Sequence, residues 1–179
     1  AQRWAEAPDI AENIKKIAGL SENSTVLDCG CGCGRISIEL ALLGLNVTGV
    51  DIMQPLLDAA KESSEDENVQ LELIKKDLRE FDVKEKYDCA INLYTSFGYC
   101  DTIEDDIKIL KNIYNSIKKN GWFIMECISR ETAVQNFIEG EWFERAGKYV
   151  LTDFSVEGAW EGLRSHWMLI DKKTGKKYD

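Results

Sequence analysis

No stretch of this sequence approaches the roughly 18 uninterrupted apolar residues that a membrane span needs, so no membrane partner is expected. The first residues, Ala1-Gln2-Arg3-Trp4, have neither an initiating Met nor an apolar segment. That argues against a secretory signal peptide and suits a trimmed chain. Basic residues are in deficit: 22 Lys and Arg stand against 32 Asp and Glu, a formal net charge of −10. Such a field repels a phosphate backbone, so nucleic acid is not an expected partner and small-molecule chemistry is favoured. The one basic cluster, Lys172, Lys173, Lys176 and Lys177, flanks Thr174-Gly175, a turn signal, and reads as a solvated hairpin tip. Histidine is nearly absent, His166 being the only one. The six cysteines are Cys29, Cys31, Cys33, Cys89, Cys100 and Cys127, and the first three run Cys-x-Cys-x-Cys, unlike the separate Cys-x2–4-Cys pairs that aim thiolates at a structural zinc. Without a secretory signal they read as reduced thiols of a cytoplasmic protein, with no metal expected.

What is present is the composition of a folded α/β protein. With 179 residues, 44% of them hydrophobic, the chain can bury one sizeable core and reads as a single domain over 1–179. Helical spacing places Ile10, Ile14 and Ile17 on one stripe of "DIAENIKKIAGL", closed by Gly19. "STVLDC" is a short buried strand, and "GRISIELALLG" a helix with Ile36, Leu40 and Leu43 on one side, ending at Gly44. "NVTGVD", "VQLELIKKD", "YDCAINL" and "GWFIMEC" read as further strands. Between them lie the helices "MQPLLDAAKESSEDE", with Pro55 in its first turn, and "IEDDIKILKNIYNSIKKNG". The stripe of the latter is Ile103, Ile107, Leu110, Tyr114 and Ile117. This alternation predicts a doubly wound, mostly parallel sheet with helices on both faces, over residues 9–130. Over 131–179 the grammar changes: "TAVQNFIEGEWF" reads as a helix, and "KYVLTDFSVEG" with "GLRSHWMLIDKK" as an antiparallel hairpin appended after strand 5.

The first strand runs into "DCGCGCGR", which packs three cysteines and three glycines into residues 29–34. Alternate residues of an extended segment share a side, so three thiolates could meet a soft ion, but the place says more than the thiols. Open α/β sheets bind ligands where a strand ends and a helix begins, and glycine there lets a ligand approach the backbone. A dinucleotide loop would read G-x-G-x-x-G, whereas here the glycines fall at 30, 32 and 34, followed by Arg35. The Gly-Lys-Ser/Thr of a nucleoside-triphosphate loop is absent. Asp28, two residues before the first glycine, would repel a pyrophosphate and suits a cationic ligand.

"VLDCGCGCGRISIELA" resembles the first motif of the class I S-adenosylmethionine-dependent methyltransferases, hydrophobic-hydrophobic-Asp-x-Gly-Cys-Gly-x-Gly. The resemblance implies S-adenosyl-L-methionine as cofactor, and contacts to it from Asp28, Gly30, Cys31, Gly32 and Gly34; Cys29 and Cys33 are incidental. It also implies that Asp51, with Ile52 beside it, accepts hydrogen bonds from the ribose hydroxyls. Asp77 and Leu78 would meet the adenine, and Asn92 and Leu93 the methionine part. The motifs follow in order through "LKNIYNSIKKNGWFIMEC", so the resemblance covers roughly residues 9–130.

Base methyltransferases usually carry an Asn/Asp-Pro-Pro-aromatic loop after the fourth strand; here Asn92 is followed by Leu-Tyr-Thr, with no proline. "TSFGY" is similar to the loop of small-molecule methyltransferases roofed by an antiparallel insertion, and the hairpin at about 147–171 sits where that insertion belongs. A small-molecule acceptor is therefore expected. Tyr94, Tyr99 and Glu126 at strand ends, and His166 in the hairpin, are the candidate catalytic groups, with Trp4 and Trp142 as candidate π faces for a cation. The family continues with a helix and two last strands, while the chain stops at "KTGKKYD". It is either truncated before those strands or uses the hairpin in their place. Two rival readings stay open, a non-catalytic cofactor-binding or regulatory module and an NAD-dependent oxidoreductase.

Overall fold

Strand β1 (Thr25–Cys29) is buried from Val26 to Cys29, as an apolar run must be when it has neighbours on both edges and side chains packed on both faces. The computed structural model describes the backbone of residues 2–179 and the side chains from Trp4 onward. Ala1 and the side chains of Gln2 and Arg3, used above in the leader argument, lie outside the described residues. The order of elements is α1 (Gln2–Ala5), α2 (Ala7–Ile17), β1, α3 (Arg35–Leu42), β2 (Asn46–Asp51), α4 (Gln54–Asp66) and β3 (Glu72–Lys75). A 3-10 turn (Leu78–Glu80), β4 (Tyr87–Asn92), α5 (Ile103–Ser116) and β5 (Ile117–Met125) follow.

These five strands form one parallel sheet in the order β3-β2-β1-β4-β5. Successive residues of β1 and β4 feed two different cores. Val26, Cys89 and Ile91 pack with Ala7, Ala11, Ile14, Ile36 and Leu40 of α2 and α3. Leu27, Cys29 and Ala90 pack with Phe81, Tyr87 and Ile113 of α5. The expected doubly wound sheet with helices on both faces is what forms. The chain order reverses at β1, which has β2 on one edge and β4 on the other. That switch point opens a crevice at the carboxyl ends of the strands.

Four details differ from the sequence expectation. The buried stripe of α2 is Ala7, Ala11 and Ile14, and Ile17 is 59% exposed; small alanines allow the close approach, so counting large apolar residues selects the wrong face. Helix α5 stops at Ser116, five residues before Gly121, because the Asn115 and Ser116 carbonyls accept from the Glu85 and Lys86 N–H groups and lead the chain into β5. Its docked face carries Ile109, Ile113 and Ser116, while Ile103, Ile107 and Tyr114 are exposed. On that docked side the Asn112 amide donates to the Leu78 and Arg79 carbonyls at 2.9 and 3.0 Å, a polar anchor that an apolar pattern does not reveal. Asn112→Ala should lower stability by about 1–2 kcal/mol, the worth of two partly buried hydrogen bonds, as read from the urea unfolding midpoint. The fourth difference is that β3 ends at Lys75, two residues before Asp77.

The contacts divide the chain into two compact units, Ala1–Cys127 and Ile128–Asp179, where the sequence reading has one domain made of a core over 9–130 and an appendage over 131–179. The second unit holds α6 (Arg130–Asn136) and an antiparallel sheet of β6 (Gly140–Arg145), β7 (Lys148–Glu157), β8 (Gly162–Asp171) and β9 (Lys177–Tyr178). The hairpin is β7–β8, paired from Lys148↔Asp171 to Glu157↔Gly162. The helix expected over 132–143 is shorter: it ends at Asn136, and "GEWFER" pairs with β7 as a strand. The alternation of Trp142 and Phe143 between opposite faces suits a strand edge better than a helix. The lysine-flanked Thr174-Gly175 is a turn, with Asp171 Oδ1 accepting from the Lys173 and Thr174 N–H groups at 3.0 and 2.9 Å. Among the described residues, no helix is long and apolar enough to cross a membrane.

Candidate functional site

The loop after β1 is built from the backbone outward. Gly30 N–H and Cys31 N–H both donate to the Val50 carbonyl, at 2.8 and 3.1 Å, tying the loop to the tip of β2. Gly30, Gly32 and Gly34 have φ of +76°, +55° and +75°, values that side-chain-bearing residues seldom take. Gly30 also lies under the loop after β4: a Cβ there would stand 2.8 Å from Ser96 Cβ. The cysteines serve the packing. Cys29 and Cys31 are buried, and burial pushes both thiols up; the Cys89 thiol is pushed up to about 12 for the same reason. A thiol held in its neutral form is a poor metal ligand, and among the described residues no group of His, Cys, Asp and Glu is placed to hold a metal ion.

Three carboxylates surround this loop, each with a different task. Asp28, 5% exposed, accepts from Ser37 Oγ at 2.6 Å. Burial raises its pKa to about 6; the Asp51 charge adds to the rise, and the Ser37 hydroxyl and Arg35 oppose it. Asp51 Oδ2 accepts from Gly32 N–H at 2.8 Å and its Oδ1 from Met53 N–H at 2.8 Å. Its carboxylate thus holds the glycine loop and the start of α4 together while keeping free lone pairs on both oxygens. Asp77 caps the 3-10 turn by accepting from Arg79 N–H at 2.8 Å. The Arg79 guanidinium grips the same carboxylate at 2.6 Å and reaches Asp105 at 3.2 Å. That contact holds the Asp77 carboxyl below its ordinary range.

At the tip of β4, Asn92 is 1% exposed. Its Nδ2 donates to the Cys29 carbonyl at 2.8 Å, which fixes the amide, and the buried Oδ1 has no hydrogen-bond partner among the described residues. An orphaned buried acceptor is costly, and at a switch-point crevice it invites a donor from a ligand.

A cavity of about 610 Å³ opens here, lined by Gly30, Asp51, Ile52, Asp77, Leu78, Tyr94 and Tyr99 among the residues singled out from the sequence. Met53, Lys76, Arg79, Thr95, Ser96, Cys100 and Asp101 also line it and were not anticipated. Of these only Arg79 carried a signal, a cation two residues after the acid of "KKDLRE". A larger cleft of about 810 Å³, lined by Lys84, Tyr114, Lys119 and Phe123, lies at the amino-terminal ends of β4 and β5, away from the glycine loop. Size alone would have chosen the wrong end of the sheet.

The remaining candidates are distributed as follows. Asp28, Cys31, Gly32, Asn92 and Leu93 form the rear of the loop region without lining the cavity. Gly34 begins α3 and faces Ala60 of α4. The Tyr94 ring lies under the Arg35 guanidinium at 4.3 Å, Tyr99 is 80% exposed, and Glu126 accepts from Tyr94 N–H. His166 belongs to the second unit, where its Nε2 meets the Asp179 carboxylate. Trp142 stacks edge-on against Tyr149 in that unit, and Trp4 in α1 is half-exposed.

Comparison with known proteins agrees with this geometry. A family described as "Methyltransferase domain" matches residues 26–121. The ubiquinone biosynthesis O-methyltransferase of Rickettsia bellii is 29% identical over 121 residues, 68% of this chain and 49% of that protein. The enzyme of that name from Hydrogenovibrio crunogenus is 31% identical over 121 residues, 66% of this chain and 48% of its own length. The chain therefore spans about half the length of these relatives. Among solved structures, an S-adenosylmethionine-dependent methyltransferase from Clostridium acetobutylicum superposes with a TM-score of 0.82 at 19% identity, over 98% of this chain and 72% of that one. CalS10, an amino pentose methyltransferase from Micromonospora echinaspora solved with S-adenosylmethionine bound, gives 0.69 at 20% identity, over 98% and 73%. The fold is that of the class I S-adenosylmethionine-dependent methyltransferases, and the chain belongs to the methyltransferase-domain family.

Proposed function

We propose that the crevice at the tips of β1, β2 and β4 binds S-adenosyl-L-methionine, and that the chain is the cofactor-binding part of a cytoplasmic methyltransferase acting on a small-molecule acceptor. The observation that carries this reading is the pairing of a glycine-rich loop with the Asp51 carboxylate at the switch point. The residues fit the group: among the described residues nothing lies within 4 Å of where a Cβ on Gly32 would stand, and Asn92 Oδ1 is an acceptor without a partner, suited to an ammonium. Asp51 would accept from the ribose hydroxyls, Leu78 and Asp77 would border the adenine, and Asp28 and Asn92 would face the methionine end. When bound, the cofactor supplies a methyl group already activated on a sulfonium. What remains for the protein is alignment for in-line displacement and exclusion of water.

The charge pattern supports a cationic nucleoside over a dinucleotide, because Asp28 and Asp51 flank the loop where a pyrophosphate would lie. The acceptor is proposed to be a small molecule bearing a hydroxyl or amine; the Rickettsia enzyme is named as an O-methyltransferase and CalS10 as an amino pentose methyltransferase. The excess of acidic residues argues against a nucleic-acid substrate. An amine acceptor needs only to arrive deprotonated, and a hydroxyl benefits from a base; Tyr99 and Asp101 are exposed groups of the cavity wall.

Calorimetric titration with S-adenosylhomocysteine tests the assignment, and no binding by the folded chain would overturn it. Asp51→Ala should weaken binding by about 10- to 100-fold, as expected for losing hydrogen bonds to a charged group. Unchanged affinity would remove Asp51 from the ribose role. Transfer of a tritiated methyl group into a metabolite extract separates an enzyme from a binding module, which would label nothing.

A further inference from the structure

The segment after β4 holds a conformation that its residues do not favour. Tyr94 and Thr95 are consecutive and neither is glycine, yet their φ values are +56° and +60°. L-residues avoid this region, and a β-branched Thr avoids it most. Such a turn persists only where its surroundings over-determine it. Here the surroundings are specific. Glu126, just beyond β5, donates its own N–H to the Asn92 carbonyl at 2.9 Å, and its Oε2 accepts from Tyr94 N–H at 2.9 Å. Ser96 Oγ then donates to the Leu93 carbonyl at 3.0 Å and approaches the Gly30 carbonyl at 3.4 Å. Tyr94, Thr95 and Ser96 all face the cavity.

We propose that Glu126 is a positioning residue: its carboxylate latches the left-handed Tyr94–Thr95 turn, and the latched turn seats Ser96 against Gly30 and so shapes the cofactor crevice in advance. This deepens the cofactor reading and rests on it. The carboxylate accepts from the backbone through Oε2, so the role assigned to Glu126 runs through the turn. A neutral Gln can accept the same bond; an Ala cannot.

Amide hydrogen exchange on the ligand-free chain tests the latch without any ligand. Glu126→Ala should speed exchange over residues 93–97 by about tenfold, as for loss of one charge-assisted hydrogen bond, while the exchange of β1 and β4 changes by no more than the accompanying fall in thermal midpoint accounts for. Glu126→Ala should also weaken S-adenosylhomocysteine binding by about tenfold. Glu126→Gln should keep exchange and affinity within about threefold of the native chain, since the bond it retains is weaker but present. Unchanged exchange in Glu126→Ala overturns the latch, and so does a Glu126→Gln variant as impaired as Glu126→Ala, because that would place the role in the charge. If the native chain binds no S-adenosylhomocysteine, the cofactor reading fails instead, and the exchange result alone judges the latch.

Discussion

Asp28→Asn is expected to stabilise the ligand-free protein by up to about 3 kcal/mol above pH 6 while weakening its hold on the cofactor. The Asp28 carboxyl is buried, and burial raises its pKa from an ordinary 3.8 to about 6, with the Asp51 charge adding to the rise. Below about pH 4 both the folded and the unfolded chain keep the proton, and the residue contributes no pH dependence. Between about pH 4 and 6 the unfolded chain has released it and the folded chain has not, so stability falls as pH rises. Above pH 6 the folded chain carries the full cost of a buried charge, about two pH units at 1.36 kcal/mol each. Asparagine cannot ionise and can still accept from Ser37 Oγ. The difference in unfolding free energy between variant and native chain should therefore be near zero at pH 4 and reach its plateau by pH 7. Urea titrations across that range measure it, and a flat difference would remove Asp28 as the source. The same charge attracts a sulfonium and an ammonium, so native affinity for S-adenosylmethionine should rise as pH passes through about 6. Asp28→Asn should lose that rise and bind at least about tenfold more weakly, the usual scale for one lost charge-assisted contact. The destabilising charge would then be kept for what it binds.

Gly34→Ala should destabilise the chain by about 2–5 kcal/mol, through two separate effects. The φ of +75° costs about 1–2 kcal/mol for any L-residue. The new Cβ would lie 2.9 Å from Ala60 Cβ and 3.5 Å from Ala60 Cα, a backbone-backed contact between α3 and α4 that cannot yield by rotating a side chain. Overpacking of that kind costs about 1–3 kcal/mol more. Gly19→Ala serves as the comparison: its φ is +61° and nothing lies within 4 Å, so it should show the backbone part alone. Equal losses in the two variants, read from urea unfolding, would show that α3 and α4 are not in close contact at this point. Because Ser37 lies in the first turns of α3, a shifted helix would also loosen its bond to Asp28, and the pH dependence above should weaken in Gly34→Ala.

The part of the site written in the sequence is the part made of local chemistry. Glycines at 30, 32 and 34 announce a backbone bend, and acids at positions 28 and 51, near the ends of buried strands, announce polar partners. The five-stranded parallel core was readable for a similar reason: short apolar runs flanked by turn residues leave few alternatives. Where several geometries satisfy one local pattern, reading fails. An apolar stripe on α5 was legible, but its docked face includes Asn112 and Ser116, and the side carrying Ile103 and Tyr114 is exposed. "GEWF" fits the end of a helix until β7 offers its free edge.

Residue order thus determined the bend at the first strand, the carboxylates beside it and the parallel sheet that displays them, since backbone sterics and strand burial act over a few neighbours. Only the folded chain decided that Asp51 ties the glycine loop to α4, that Arg79 grips Asp77, and that Glu126 reaches the turn at Tyr94. The last of these contacts joins residues 32 positions apart. Such pairings arise where strand tips meet in space, and separation along the chain carries no record of them.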